Sequence, residues 1–82
     1  MKIRTQSNWL VDLGGKVINT VRIPAGSFQI LAYTKDKKDG CVLGAYSTEE
    51  KTLHVLSAIQ VAANHPEKIR VFRMPKDAEV KA

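Results

Sequence analysis

Cys41 and His54 are the first residues to weigh for covalent chemistry, because a thiol beside an imidazole can act as nucleophile and base. That chemistry also needs a third group to orient the base and a turn that presents the thiol. Cys41 falls in an alternating segment that reads as a strand, His54 falls on the outward side of a helical segment, and neither requirement is met nearby. A lone cysteine in such a segment reads more economically as a small buried hydrophobe. The same two residues with His65 could be offered to a metal, but the histidines lack the paired spacing of a zinc site. Asp36 and Asp39 before Gly40 resemble half a calcium loop, yet Lys37 and Lys38 stand where oxygen ligands belong and no acid closes the loop. Gly14-Gly15-Lys16 opens a strand rather than a helix, so it is a turn and not a phosphate cradle. The residues therefore imply no catalytic group, no cofactor-binding set, no metal ligand and no enzyme.

A second chemistry rests on basic residues interleaved with aromatics, which on a sheet can neutralise phosphates and stack bases. Lys2, Arg4, Trp9, Arg22, Tyr33, Arg70, Phe72 and Arg73 are the residues it would recruit. Trp9 shares a strand face with Val11 and Leu13, which assigns it to the core. Arg4, Arg22, Arg70 and Arg73 remain as the candidate nucleic-acid contacts. They are spread over several strands and both ends of the chain, so nucleic acid is the alternative and not the leading partner.

The chain has 82 residues and a formal net charge of +5. A domain of this size buries about 60% of its unfolded surface, enough for one small core and no deep internal site. The positive charge is scattered without a run of like charges, a pattern that usually serves solubility. One cysteine excludes an internal disulfide. No secretion-type segment opens the chain, and no apolar run is long enough to span a bilayer, so a cytoplasmic protein without membrane contact is expected. Small cores often gain from a partner subunit, which leaves a homo-oligomer open beside a separate protein partner.

These residues must be positioned by short strands and one helix. Lys2-Ile3-Arg4-Thr5 alternates as a first strand, and Trp9 to Leu13 as a second. Gly14-Gly15 then predicts a tight hairpin into a strand from Lys16 to about Ile23. Pro24-Ala25-Gly26-Ser27 turns the chain into Phe28–Thr34, apolar on both faces and expected to be central. The charged loop 35–40 closes a second hairpin with Cys41–Tyr46, where Gly44 implies a bulge or a close approach of backbone.

Ser47 and Glu50 form a capping-box pattern that predicts a helix from Thr48 to about Ala63. Its wheel centres the apolar stripe on Leu53, Leu56, Ile59 and Ala63, with Val55 and Ala62 on the flank. Asn64 suits a left-handed cap, His65 lies at the negative end of the dipole, and Pro66 stops the helix. Ile69 to Met74 reads as a last strand, ended at a sheet edge by Pro75. The result is an α+β domain over residues 1–75. It consists of a small antiparallel sheet of about five to six strands packed by one α-helix, in the order ββ(ββ)–α–β, with a polar tail over 76–82. Leu53, Leu56 and Ile59 should pack against Trp9, Val11, Phe28, Ile30 and Leu43.

Several of these segments carry a resemblance. Thr5-Gln6-Ser7, Leu10-Val11-Asp12-Leu13, the run Leu43-Gly44-Ala45-Tyr46-Ser47-Thr48-Glu49-Glu50-Lys51, Val55-Leu56, Ile59-Gln60 and Phe72-Arg73-Met74-Pro75-Lys76-Asp77 come in order along nearly the whole chain. The pattern is similar to a family of short uncharacterised proteins of low-GC Gram-positive bacteria, their phages and mobile elements. Its members carry LVDL, then LGxYSTEEKAxxVLxxIQ, and close on FxMPxD. Ser7-Asn8 departs from it where members often have an acid, and Thr52 where alanine is usual. The resemblance brings no activity, cofactor or site residue. It implies a small cytoplasmic protein, phage-related in kind, that acts as an accessory or protein-interaction module.

Overall fold

The computed structural model describes residues 1–34, 40–65, 67–68 and 70–81. The calcium-like loop residues Asp36 and Asp39, the helix stop Pro66 and the strand start Ile69 lie outside the described residues. The chain folds as α+β, and among the described residues there are six strands and one α-helix: β1 (Lys2–Arg4), β2 (Leu10–Asp12), β3 (Lys16–Arg22), β4 (Phe28–Thr34), β5 (Cys41–Tyr46), α1 (Glu49–Ala63) and β6 (Val71–Arg73).

The strands form two three-stranded sheets, ordered β2-β1-β6 and β3-β4-β5, where one sheet was expected. The cause lies at Gly14-Gly15. The Lys16 N–H donates to the Leu13 carbonyl at 3.0 Å, and of the two glycines only Gly15 takes a positive φ, 71°. A positive φ at the third turn position alone is the type II pattern, whose twist splays the flanking strands instead of pairing them. The chain reverses there but crosses from one sheet into the other. A second departure is that β6 pairs parallel to β1, with Ile3 beside Phe72 and Arg4 beside Arg73. β6 is nonetheless an edge strand, as Pro75 implies.

Two other turns share one design. Thr5 N–H donates to the Trp9 carbonyl at 2.8 Å, and Asn8 N–H returns to Thr5 at 2.9 Å. Ile23 N–H donates to Ser27 at 2.8 Å, and Gly26 N–H returns to Ile23 at 2.9 Å. Each loop holds three residues and ends on one in the left-handed region, Asn8 (φ 70°) or Gly26 (φ 96°). This is the common three-residue hairpin, and asparagine and glycine are the residues that tolerate its last position. The first loop joins β1 to β2 and the second joins β3 to β4.

Between β4 and β5 the register slips. Ile30 faces Gly44 while Leu31 faces Val42, leaving Leu43 as the bulged residue. The freed Leu43 carbonyl accepts the Gln6 N–H at 3.0 Å, which ties the two sheets together.

The helix packs on β4 and β5. Its N-cap is Thr48, whose hydroxyl accepts the Lys51 N–H at 3.2 Å; the expected Ser47/Glu50 box does not form, because Ser47 is engaged elsewhere. Asn64 ends the helix in the right-handed region (φ −80°), not the left-handed one. The buried stripe is Thr52, Val55, Ile59 and Ala62. Leu53, expected in the core, is 49% exposed, and Leu56 is half-buried. Apolar residues surround much of this helix, so the wheel alone leaves its rotation loosely fixed. Thr52 joins the stripe because its hydroxyl donates to the Thr48 carbonyl at 2.9 Å and enters the core satisfied.

The core comprises Ile3, Val11, Ile30, Ala32, Leu43, Tyr46, Val55, Ile59, Met74 and Val80. Phe28 is half-buried, and Trp9 is 71% exposed, contrary to its expected place. Trp9 precedes the first paired residue of β2, beyond the reach of the second layer. The polar tail is also more than a tail: Asp77–Glu79 form a 3-10 turn and Val80 is buried. No helix among the described residues is long and apolar enough to cross a membrane.

Candidate functional site

The structure places the candidates for chemistry apart. Cys41 starts β5, half-buried against the core, and His54 is exposed on α1. Among the described residues no three His, Cys, Asp or Glu side chains gather in a way that could hold a metal.

Three segments of the quoted pattern converge in a polar knot: Gln6 just after β1, the end of β5 with the start of α1, and Met74–Asp77 after β6. The Gln6 side chain accepts the Ala45 N–H at 2.7 Å, and its amide donates to the Ala45 and Pro75 carbonyls at 3.3 and 2.9 Å. The buried Tyr46 hydroxyl donates to the same Pro75 carbonyl at 2.7 Å. Burial pushes its pKa up to about 12. Asp77 accepts both the Ser47 N–H at 2.8 Å and the Ser47 hydroxyl at 3.0 Å, and Lys51 reaches the Asp77 carbonyl at 3.0 Å and its carboxylate at 3.5 Å. The Ser47 N–H, chiefly, holds the Asp77 carboxyl below its usual value. Gly44 lets these groups close in: a Cβ there would lie 3.1 Å from the Gln6 Cδ and the Met74 Cε, and 3.2 Å from the Tyr46 hydroxyl. Among the described residues no buried side-chain nitrogen or oxygen lacks a partner. The knot satisfies itself and offers no open valence to a ligand; its work is to hold four elements together.

The outer face of the β2-β1-β6 sheet is different. Register sets its side chains in two rows, Asp12–Lys2–Val71 and Leu10–Arg4–Arg73, while Val11, Ile3 and Phe72 face the core side. Arg4 is half-buried and the other five are exposed. The Arg4 guanidinium donates to the Asn8 carbonyl and side-chain oxygen at 3.3 and 3.2 Å, which fixes it over the β1–β2 turn. Among the described residues Lys2, Arg4, Arg70 and Arg73 form no ion pair with a carboxylate. The one acid of the face, Asp12, is turned to the Gly14 N–H at 2.9 Å, which with the nearby N-terminus, Lys2 and Lys16 lowers its pKa.

At one end of this face, Thr5, Gln6, Asn8, Arg73, Met74 and Lys76 line a polar notch of about 270 Å³. Trp9 is hydrogen-bonded through its backbone to Thr5, a pairing that by alternation sets it on the side of Ile3 and Val11, opposite Lys2, Arg4 and Arg73.

Three of the four arginines singled out from the sequence thus gather around one sheet. Arg4 and Arg73 are direct neighbours, and the Arg70 carbonyl accepts the Lys2 N–H at 3.2 Å. Arg22 lies on β3 in the other sheet, 6.0 Å from the Phe28 ring centre. The sequence brings in Lys2 among the basic residues without singling it out beside the four arginines, and it gives no sign of Lys76. The signal available is that Lys2-Ile3-Arg4 and Val71-Phe72-Arg73 share one pattern, a buried centre with outward flanks. No protein-family model, curated protein or solved structure matches the chain.

Proposed function

We propose that this protein is a non-enzymatic binding module whose working surface is the outer face of the β2-β1-β6 sheet. The observation that supports it is the juxtaposition there of Lys2, Arg4 and Arg73 with exposed Leu10 and Val71. A sheet face with cations and aliphatics side by side suits a macromolecular partner better than a small molecule, which needs a concave, mostly apolar site. We place the protein in the cytoplasm as an accessory factor, phage-related in kind. That assignment leans on the resemblance of the knot-forming segments to short proteins of Gram-positive bacteria and their mobile elements. Two partner classes share the surface: a protein, which Leu10 and Val71 favour, and a nucleic acid, which the Arg4–Arg73 pair favours.

The test is capture from a lysate of the source organism on immobilised wild type, a Lys2→Gln/Arg73→Gln double variant and an Arg22→Gln control. We expect a macromolecule that the wild type and the control retain and the double variant loses. Equal capture by all three would remove the working surface from this face.

A further inference from the structure

Apart from that face, we propose that the outer edge of β3 is a docking strand for an acidic peptide segment of another protein, which adds beside it as a fourth, antiparallel strand. The first ground is the backbone. The Ile23 N–H donates to the Ser27 carbonyl, so Ile23 faces β4. Backbone groups alternate sides along a strand, so those of Ile18, Thr20 and Arg22 face away from β4. The Thr20 N–H is taken by the Asn19 side-chain oxygen at 2.8 Å, and among the described residues the N–H groups of Ile18 and Arg22 bond to nothing beyond the sheet. Donors and acceptors that repeat about every 6.6 Å are met in full only by another extended chain. The other edges are unlike this one. The β5 edge is sealed, its Leu43 carbonyl by the Gln6 N–H and Ala45 by both ends of the Gln6 amide, and β2 and β6 hold 3 residues each.

The second ground is the trough beside this edge. The helix packs over β4 and β5, off-centre from β3. Ile18 and Thr20 pair with buried Ala32 and Ile30, which sets their side chains on the α1 side. There Leu13, Ile18, Leu56 and Ile59 line an apolar groove of about 330 Å³, and Thr20 and Arg22 line a second hollow of about 250 Å³ against Leu53. Alternate side chains of an added strand fall on this side, so an aliphatic one opposite Ile18 enters the groove.

The third ground is charge, which selects the occupant. Lys16 and Arg22 close the row of Ile18 and Thr20 at its two ends, and among the described residues neither pairs with a carboxylate. Asp12 is turned to the Gly14 N–H, and Glu49 lies at the start of α1, across the trough from an added strand. A second copy pairing antiparallel about Asn19 would set the Lys16 of each copy opposite the Arg22 of the other, and like charges directly opposite destabilise a strand pair. A strand of 7 residues that matches β3 and carries an acid at each end meets both cations instead.

The experiment titrates the intact protein with the capped peptide Glu-Thr-Val-Thr-Leu-Thr-Glu, with the same peptide ending in lysines, and with serine in place of its leucine. Amide shifts and amide hydrogen exchange are followed residue by residue. We expect shifts along Lys16–Arg22 and slowed exchange at Ile18 and Arg22, whose N–H groups gain partners. The lysine-ended peptide should bind about 10-fold more weakly, because both charge pairs turn repulsive, and serine for leucine should cost about 10-fold as well. A Lys16→Glu/Arg22→Glu double variant should reverse the preference between the acid-ended and lysine-ended peptides; if it fails to fold, the peptide exchange on the wild type decides. Equal binding of those two peptides, unchanged exchange at Ile18 and Arg22, or no response at about 1 mM peptide would overturn the proposal. Concentration-dependent shifts along β3 without peptide would give the edge to a second copy and overturn it too. None of these results bears on the β2-β1-β6 face, which the capture experiment judges separately.

Discussion

At the residue scale, two adjacent hydroxyls exchange roles. Ser47 has the better capping-box pattern, yet Thr48 caps the helix and Ser47 is held by Asp77. The sequence signal for a helix start is sound to within one residue. Which hydroxyl serves depends on a carboxylate thirty residues later in the chain, and no local pattern reveals it. Thr48→Ala should therefore cost about 0.5–2 kcal/mol in a denaturant titration, through the lost cap. Asp77→Asn tests the other half of the exchange. The folded-state pKa of Asp77 is lowered, so its carboxylate stabilises the fold above the unfolded value of about 3.9, and that contribution is lost as pH falls through the folded value. The melting temperatures of wild type and Asp77→Asn should differ at pH 7 and draw together on acidification below about pH 4. A constant difference across that range would show that Asp77 acts through packing alone.

At the scale of elements, the positions of the turns are legible and their pairings are not. Asn8, Gly15, Pro24 and Gly26 all mark reversals of the chain. Whether Gly14-Gly15 closes a hairpin or crosses between sheets depends on which of the two glycines takes a positive φ, and glycine permits either. Strand segments three residues long also carry too little pattern to announce a parallel partner such as β6 beside β1. The helix extent is likewise legible, while its rotation is not. Ile59→Ala, at a site 3% exposed, should cost about 2–5 kcal/mol. Leu53→Ala, at an exposed site, should stay within about 0.5 kcal/mol, with half-buried Leu56 between them. Equal losses at 53 and 59 would mean that the helix presents its other side to the sheet. Gly44→Ala probes the knot. The added methyl meets Gln6, Met74 and Tyr46 at 3.1–3.2 Å, and crowding of that kind costs about 1–3 kcal/mol in unfolding experiments.

At the scale of the whole molecule, a charge that looks scattered along the chain gathers in space. Residues 2–4 and 70–76 lie at opposite ends of the sequence, and the parallel pairing of β1 with β6 makes them one surface. That pairing also explains why Arg22, equally basic in the sequence, stands apart on the other sheet. Trp9 reads as core because strand alternation groups it with Val11, yet it sits past the end of its strand, where nothing in the second layer covers it. The core of the fold is thus built to leave one side of the β2-β1-β6 sheet open, and the account rests on that side being the one that works. The most direct measurement is the amide spectrum of the protein, recorded free and with the macromolecule that the wild type captures. We predict shifts confined to Lys2–Thr5, Asn8–Asp12 and Arg70–Lys76. Shifts centred on α1 and the groove formed by Leu13, Ile18 and Leu56, with the β2-β1-β6 sheet unmoved, would contradict the account.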